Sequence, residues 1–97
     1  MAKAYWIVCY RSVSNPAALA EYAKLAGPAV QAAGGRALVR GVPAKTHEAG
    51  LKERTVLIEF DNLEKAIAVY ESDAYRAALR ALNGGAERDF RIIEGIA

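Results

Sequence analysis

From Ala4 to Val13 the chain reads Ala-Tyr-Trp-Ile-Val-Cys-Tyr-Arg-Ser-Val, apolar at odd and even positions alike as far as Tyr10. Successive side chains of a strand point to opposite faces. Trp6, Val8 and Tyr10 therefore share one face, and Tyr5, Ile7 and Cys9 the other. A strand apolar on both faces predicts a central strand covered on both sides. Thr55 to Phe60 predicts another strand, with Val56, Ile58 and Phe60 on one face and Thr55, Leu57 and Glu59 on the other. Arg36 to Val42 and Asp89 to Glu94 predict two more.

Between the strands the period changes. Leu19, Tyr22, Ala26, Val30 and Ala33 recur at helical spacing and mark one face of a helix. Asn15-Pro16 opens it, since Asn caps free N–H groups and Pro fits the first helical turn. Gly34-Gly35 closes it, and the internal Gly27-Pro28 predicts a bend. Asp61-Asn62-Leu63-Glu64 has the form of a capping box, followed by an inner stripe of Leu63, Ala66, Ile67 and Tyr70. Ser72-Asp73 predicts a break and a fresh cap, and Tyr75, Ala78, Leu79 and Leu82 stripe a last short helix that stops at Asn83-Gly84-Gly85.

The order β-α-β-β-α(α)-β predicts an α+β domain of ferredoxin-like topology over residues 1–97. Its four-stranded antiparallel sheet has helices on one face and the first and third strands at its centre. The other face is apolar and the chain has no helix left to cover it. A large apolar face marks an interface or a ligand site, and two such sheets packed face to face would hide both and enclose a cavity. The expectation is a homodimer.

Composition narrows this further. Hydrophobic residues make up 54% of the 97 and charged residues 25%, which fits a folded domain. Much of the apolar share is alanine, so the core is thin. The net charge of +2 is spread without a basic stripe, which argues against a nucleic-acid partner. No apolar run reaches the roughly 20 residues of a membrane helix, and no signal peptide is visible, so a cytoplasmic, membrane-free protein is expected. The single cysteine, Cys9, excludes an internal disulfide and is expected as a small buried hydrophobe. One histidine, one cysteine and scattered acids offer no metal-ligand spacing.

Several segments together resemble the bacterial domain-of-unknown-function 1330 family of the dimeric α+β barrel superfamily. They are Ala4-Tyr5-Trp6-Ile7, Asn15-Pro16 with Glu21-Tyr22, Gly34-Gly35-Arg36 with Val39-Arg40-Gly41, Ile58-Glu59-Phe60, Ala66 through Tyr70-Glu71-Ser72 to Tyr75, and Glu94-Gly95. The resemblance implies a dimer of ferredoxin-like sheets forming a barrel, and no assigned activity. Barrel relatives include cofactor-independent oxygenases, isomerases and dehydratases. Haem-degrading relatives would require an axial ligand, for which only His47 is available. The chain departs from the family pattern at Val69, where relatives tend to carry Trp, and at Leu82, where they tend to carry Arg.

Candidate chemistry follows from a few side chains. Glu59, mid-strand among apolar neighbours, is either a proton-transfer group or half of an ion pair with Arg40 on the adjacent strand. Arg40 suits a carboxylate or phosphate from ligand or protein. His47-Glu48 lies in the long polar segment between the second and third strands. As the chain's one imidazole, the side-chain type suited to proton transfer near neutral pH, His47 is a second candidate base. Tyr70, Ser72 and Tyr75 are either core aromatics with a capping serine or hydroxyls at a pocket mouth. Trp6 is core, interface or part of an aromatic wall for a flat ligand. The resulting expectation is a small-molecule-binding protein without metal or bound cofactor. It works either as an enzyme, with catalytic Glu59 and His47 and with Arg40, Glu48, Tyr70, Ser72, Tyr75 and Trp6 around the substrate, or as a non-catalytic dimeric binding or assembly module.

Overall fold

A computed structural model describes residues 2–96. The elements run β1 (Ala4–Val13), α1 (Pro16–Ala32), β2 (Arg36–Gly41), β3 (Thr55–Phe60), α2 (Leu63–Glu71), α3 (Asp73–Leu82) and β4 (Ala86–Glu94). The sheet order is β2-β3-β1-β4, antiparallel throughout, with β1 and β3 central as their two-sided apolar character requires. β4 begins three residues before the expected Asp89, and this brings Glu87 and Arg88 into the sheet.

The helix ends obey the local chemistry of their sequence. Asn15 Oδ1 accepts from the Ala18 amide at 3.1 Å, Asn62 Oδ1 from the Lys65 amide at 2.9 Å, and Ser72 Oγ from the Tyr75 amide at 3.2 Å. α1 continues through Gly27 and Pro28 rather than stopping there. Past its end, Gly35 is obligatory for a packing reason: a Cβ there would stand 2.9 Å from the Phe60 ring.

One face of the sheet meets all three helices. Ala4, Trp6, Val8, Tyr10 and Phe60 are buried there with Ala26, Val30, Ala66, Val69, Tyr75 and Ala78. Trp6 is the hub. Its ring lies 5.1 Å from Phe60, 5.0 Å from Tyr75 and 5.0 Å from Phe90, and its Nε1 donates to the Ala66 carbonyl at 2.8 Å. α1 packs along α3 and comes less close to the strands, so a gap remains beneath it.

The opposite face carries no helix, and the described chain is only 15 Å thick in its shortest direction. The expected apolar stripe is there: Tyr5, Ile7 and Cys9 on β1, Leu57 on β3, Val39 on β2 and Ile93 on β4. Cys9 departs from expectation. It is exposed in the subunit because its strand parity puts it on this uncovered side.

Candidate functional site

Strand register arranges the helix-facing side in rows. Tyr10 stands opposite Arg88 of β4, and its amide donates to the Arg54 carbonyl at 2.9 Å, which sets Arg54 beside it. Along the next rows Arg40 pairs with Val56, Val8 with Phe90, and Trp6 with Ile58 and Ile92. Above these rows α1 presents Tyr22, Ala23, Ala26, Gly27, Val30 and Gln31. The two surfaces enclose a cavity of about 130 Å³, open to solvent on one side. Three guanidinium groups border it, those of Arg40, Arg54 and Arg88, and no carboxylate lines it.

A hydroxyl array adjoins the cavity. Tyr75 is fully buried and its hydroxyl forms a short hydrogen bond with that of Tyr22. Arg88 Nη1 donates to the Tyr22 hydroxyl at 3.0 Å. The Arg88 guanidinium also lies 4.9 Å from the Tyr22 ring centroid and 5.7 Å from that of Tyr10, close enough for cation–π attraction. Burial, and next the neighbouring Tyr22, push the Tyr75 phenol well above its ordinary value, so it stays protonated.

Charge on the outer face is organised differently. Glu59, 17% exposed, takes the Arg36 Nε at 3.0 Å and the Tyr5 hydroxyl at 3.3 Å, with Lys3 Nζ at 3.9 Å. Arg36 reaches on to Asp61 at 3.1 Å, and Lys65 to the same carboxylate at 3.5 Å. These cations hold the Asp61 carboxyl below its usual range, the hydrogen bond from Arg36 contributing most. Across the sheet Arg91 bonds Asp89 at 3.0 and 3.1 Å.

The expected site residues thus fall into three places. Trp6 and Arg40 border the cavity. Tyr70 and Tyr75 are ring neighbours of Trp6 in the core, and Ser72 caps α3 while donating to the Val69 carbonyl at 2.6 Å. Glu59 is on the opposite face, and its ion pair is with Arg36 instead of Arg40. The β2 register, shifted by a bulge between Ala37 and Val39, sets Arg36 against Glu59 and Arg40 against Val56. His47 and Glu48 are exposed on the loop after β2, Glu48 with a left-handed φ of 51°. That loop overhangs a second, more open hollow of about 410 Å³ beside Cys9, Arg11 and Asp89, and neither His47 nor Glu48 lines it. Val69 and Leu82, where the family pattern differs, are both buried side chains of the core.

Arg54, Arg88 and Tyr22 are not among the expected ligand residues, although strand parity signals the two arginines. Arg54 shares the inward parity of Val56, Ile58 and Phe60, and Arg88 that of Phe90 and Ile92. An arginine in register with core positions is an arginine turned inward. Among the described residues no three His, Cys, Asp or Glu side chains gather as a metal site would require. No helix of the described residues is long and apolar enough to cross a membrane.

A family model, "Domain of unknown function (DUF1330)", matches residues 3–96. Among curated proteins none matches the chain. Solved structures share its fold. A protein of unknown function from Rhodopseudomonas palustris has TM-score 0.74 at 13% identity, covering 99% of this chain and 84% of its own. A provisionally assigned antibiotic biosynthesis monooxygenase from Caulobacter crescentus has TM-score 0.63 at 18% identity, with coverage of 99% and 92%. A dimeric protein of unknown function with a ferredoxin-like fold, from Bacteroides fragilis, has TM-score 0.61 at 15% identity, with coverage of 96% and 96%.

Proposed function

The chain belongs to the domain-of-unknown-function 1330 family, and from that premise we propose that it is a homodimer whose subunits each bind a small organic molecule in the cavity between α1 and the sheet. The observation that carries this is the cavity itself. Some 130 Å³ beside the core is left unfilled by any side chain of the chain. A thin core would gain by closing it, and Gly27, where a Cβ would meet nothing within 4 Å, shows how small a change would begin to do so. The space matches the scale of engineered cavities that admit a benzene molecule. Trp6, Tyr10, Tyr22 and Phe90 supply flat walls for such a ring.

The dimer reading rests on the uncovered apolar face, and the dimeric fold neighbour supports it. It also buries Cys9 against the partner, and in the cytoplasm that thiol stays reduced. The provisional monooxygenase among the fold neighbours favours a catalytic version. In that version Tyr22, at the cavity wall, is the group placed to donate a proton to bound substrate. Proton transfer by Glu59 or His47 would instead require a second site formed outside this cavity.

The test is ligand-observed NMR with a panel of one-ring compounds against the protein and its Gly27→Leu variant. Gly27 lines the cavity, so a leucine there competes for its space, and because the residue precedes Pro28, whose ring disfavours a Cβ on its helical neighbour, the fold of the variant is checked alongside. Binding that disappears in a variant whose circular dichroism stays that of the parent is the expected result. Hits indifferent to Gly27→Leu, or no hits at all, would remove the cavity from function. Turnover of a hit, lost in Tyr22→Phe, would separate the enzyme from the binding module.

A further inference from the structure

The cavity's cations stand without counter-charge. Arg54 and Arg88 flank Tyr10 in one row of the sheet, with guanidinium carbons 6.0 and 5.7 Å from its ring centroid. Arg40 sits in the next row. Among the described residues none of the three has an acidic partner within 4.0 Å, whereas Arg36 and Arg91 on the other face are both paired. Arg54 Nε is buried and has no hydrogen-bond partner among the described residues. A guanidinium does not shed its proton near neutral pH, so the buried Arg54 Nε–H remains a donor in want of an acceptor.

The hydroxyls add a donor. Tyr75 is buried against Tyr22 and Arg88, and Arg88 has no lone pair to accept with. The Tyr75 proton therefore goes to Tyr22. Tyr22, which lines the cavity, then accepts it together with the Arg88 N–H, and its own O–H is left without either as acceptor.

We infer that the ligand is a small organic anion, a one-ring or short unsaturated carboxylate, whose carboxylate accepts from Arg54 and Arg40 and from the Tyr22 hydroxyl while its flat body lies against the Trp6 and Phe90 rings. The inference rests on the cavity reading above and adds the charge. Aromatic walls alone would take a neutral ring equally well. Unpaired guanidinium donors would not, because a neutral ligand leaves them desolvated and unmet.

Benzoate and its neutral counterpart benzamide test this, by calorimetry and by the side-chain Nε–H resonances of Arg54 and Arg88. Benzoate should bind at least about tenfold more tightly than benzamide and shift the Arg54 resonance. Arg54→Met should lower benzoate affinity far more than benzamide affinity, because a carboxylate gains more than an amide carbonyl from a charged donor, with Arg54→Lys in between. Arg40→Met, at an exposed edge-strand position, should lower benzoate affinity in the same direction without endangering the fold. Equal binding of the two probes, both abolished by Gly27→Leu, would overturn the anion claim and keep the cavity. Inorganic phosphate shifting the Arg54 resonance as strongly as benzoate would assign the cations to a free ion and overturn the organic half. Failure of both probes to bind at 10 mM, on the order of the weakest affinities such contacts give, would overturn both the claim and the cavity reading.

Discussion

The two faces of the sheet are built from alternate residues of the same strands and treat charge in opposite ways. On the outward face Glu59, Arg36, Asp61 and Lys65 form one connected set, and Arg91 holds Asp89. These pairs frame an apolar stripe of Tyr5, Ile7, Leu57, Val39 and Ile93. On the helix-facing side the aromatic residues are packed to completion around Trp6, and the arginines are left unpaired beside a cavity. The outward face carries paired charges around its stripe and is short of apolar cover. The inward face has its cover and is short of negative charge. The first deficit suits a second copy of the chain, the second a small anion.

The largest expected effect comes from treating the faces alike. Trp6→Ala should cost about 3–5 kcal/mol in urea unfolding, because it empties the hub of the core and strands the Ala66 carbonyl. Tyr5→Ala, one residue away on the outward face, should cost about 1 kcal/mol or less in the monomer. Similar losses at both sites would erase the distinction.

Next is Ile7→Lys, at the middle of the apolar stripe. It should weaken the dimer about 100-fold, some 2–3 kcal/mol, with the subunit's circular dichroism retained. Sedimentation at micromolar concentration reads this directly. A dimer of undiminished strength would move the interface elsewhere.

Tyr75→Phe sharpens the inward side through pH. The folded phenol titrates well above its unfolded counterpart, which ionises near pH 10. Above that pH the unfolded chain loses a proton that the folded one keeps, so stability should fall as pH rises. The variant should start about 1 kcal/mol lower at pH 7 and decline less steeply on the alkaline side. Parallel declines of parent and variant above pH 10 would mean that Tyr75 is not held neutral.

The smallest effect is Arg36→Gln. Asp61 is exposed, so its share of the lost stability should be small, and Glu59 keeps Lys3 and the Tyr5 hydroxyl as partners. The Asp61 carboxyl should titrate higher, nearer its ordinary value, as seen by NMR. The depressed carboxyl contributes stability above the unfolded pKa and loses it as pH falls through the folded one. The parent should therefore decline more than the variant below about pH 4.

Much of this was written locally in the chain. Asn15-Pro16, Asn62 and Ser72 cap their helices because a short polar side chain satisfies free amides wherever it stands at a helix start. The two-sided apolar runs of β1 and β3 require central strands, and the shortage of helices leaves one face bare. Those are properties of neighbours in sequence, and they fixed the topology and the case for a dimer. The site needed long-range information. Which arginine meets Glu59 depends on a bulge in β2, which moved the pair from Arg40 to Arg36. Whether Arg54 and Arg88 converge on one ring depends on the register of β3 and β4 against β1. Whether α1 closes on the sheet or stands off it depends on its packing against α3. Local propensity acts over a few residues, whereas a cavity is a shape left between elements far apart in the chain. Only the assembled fold could decide that the arginines of the inward face would be left without partners.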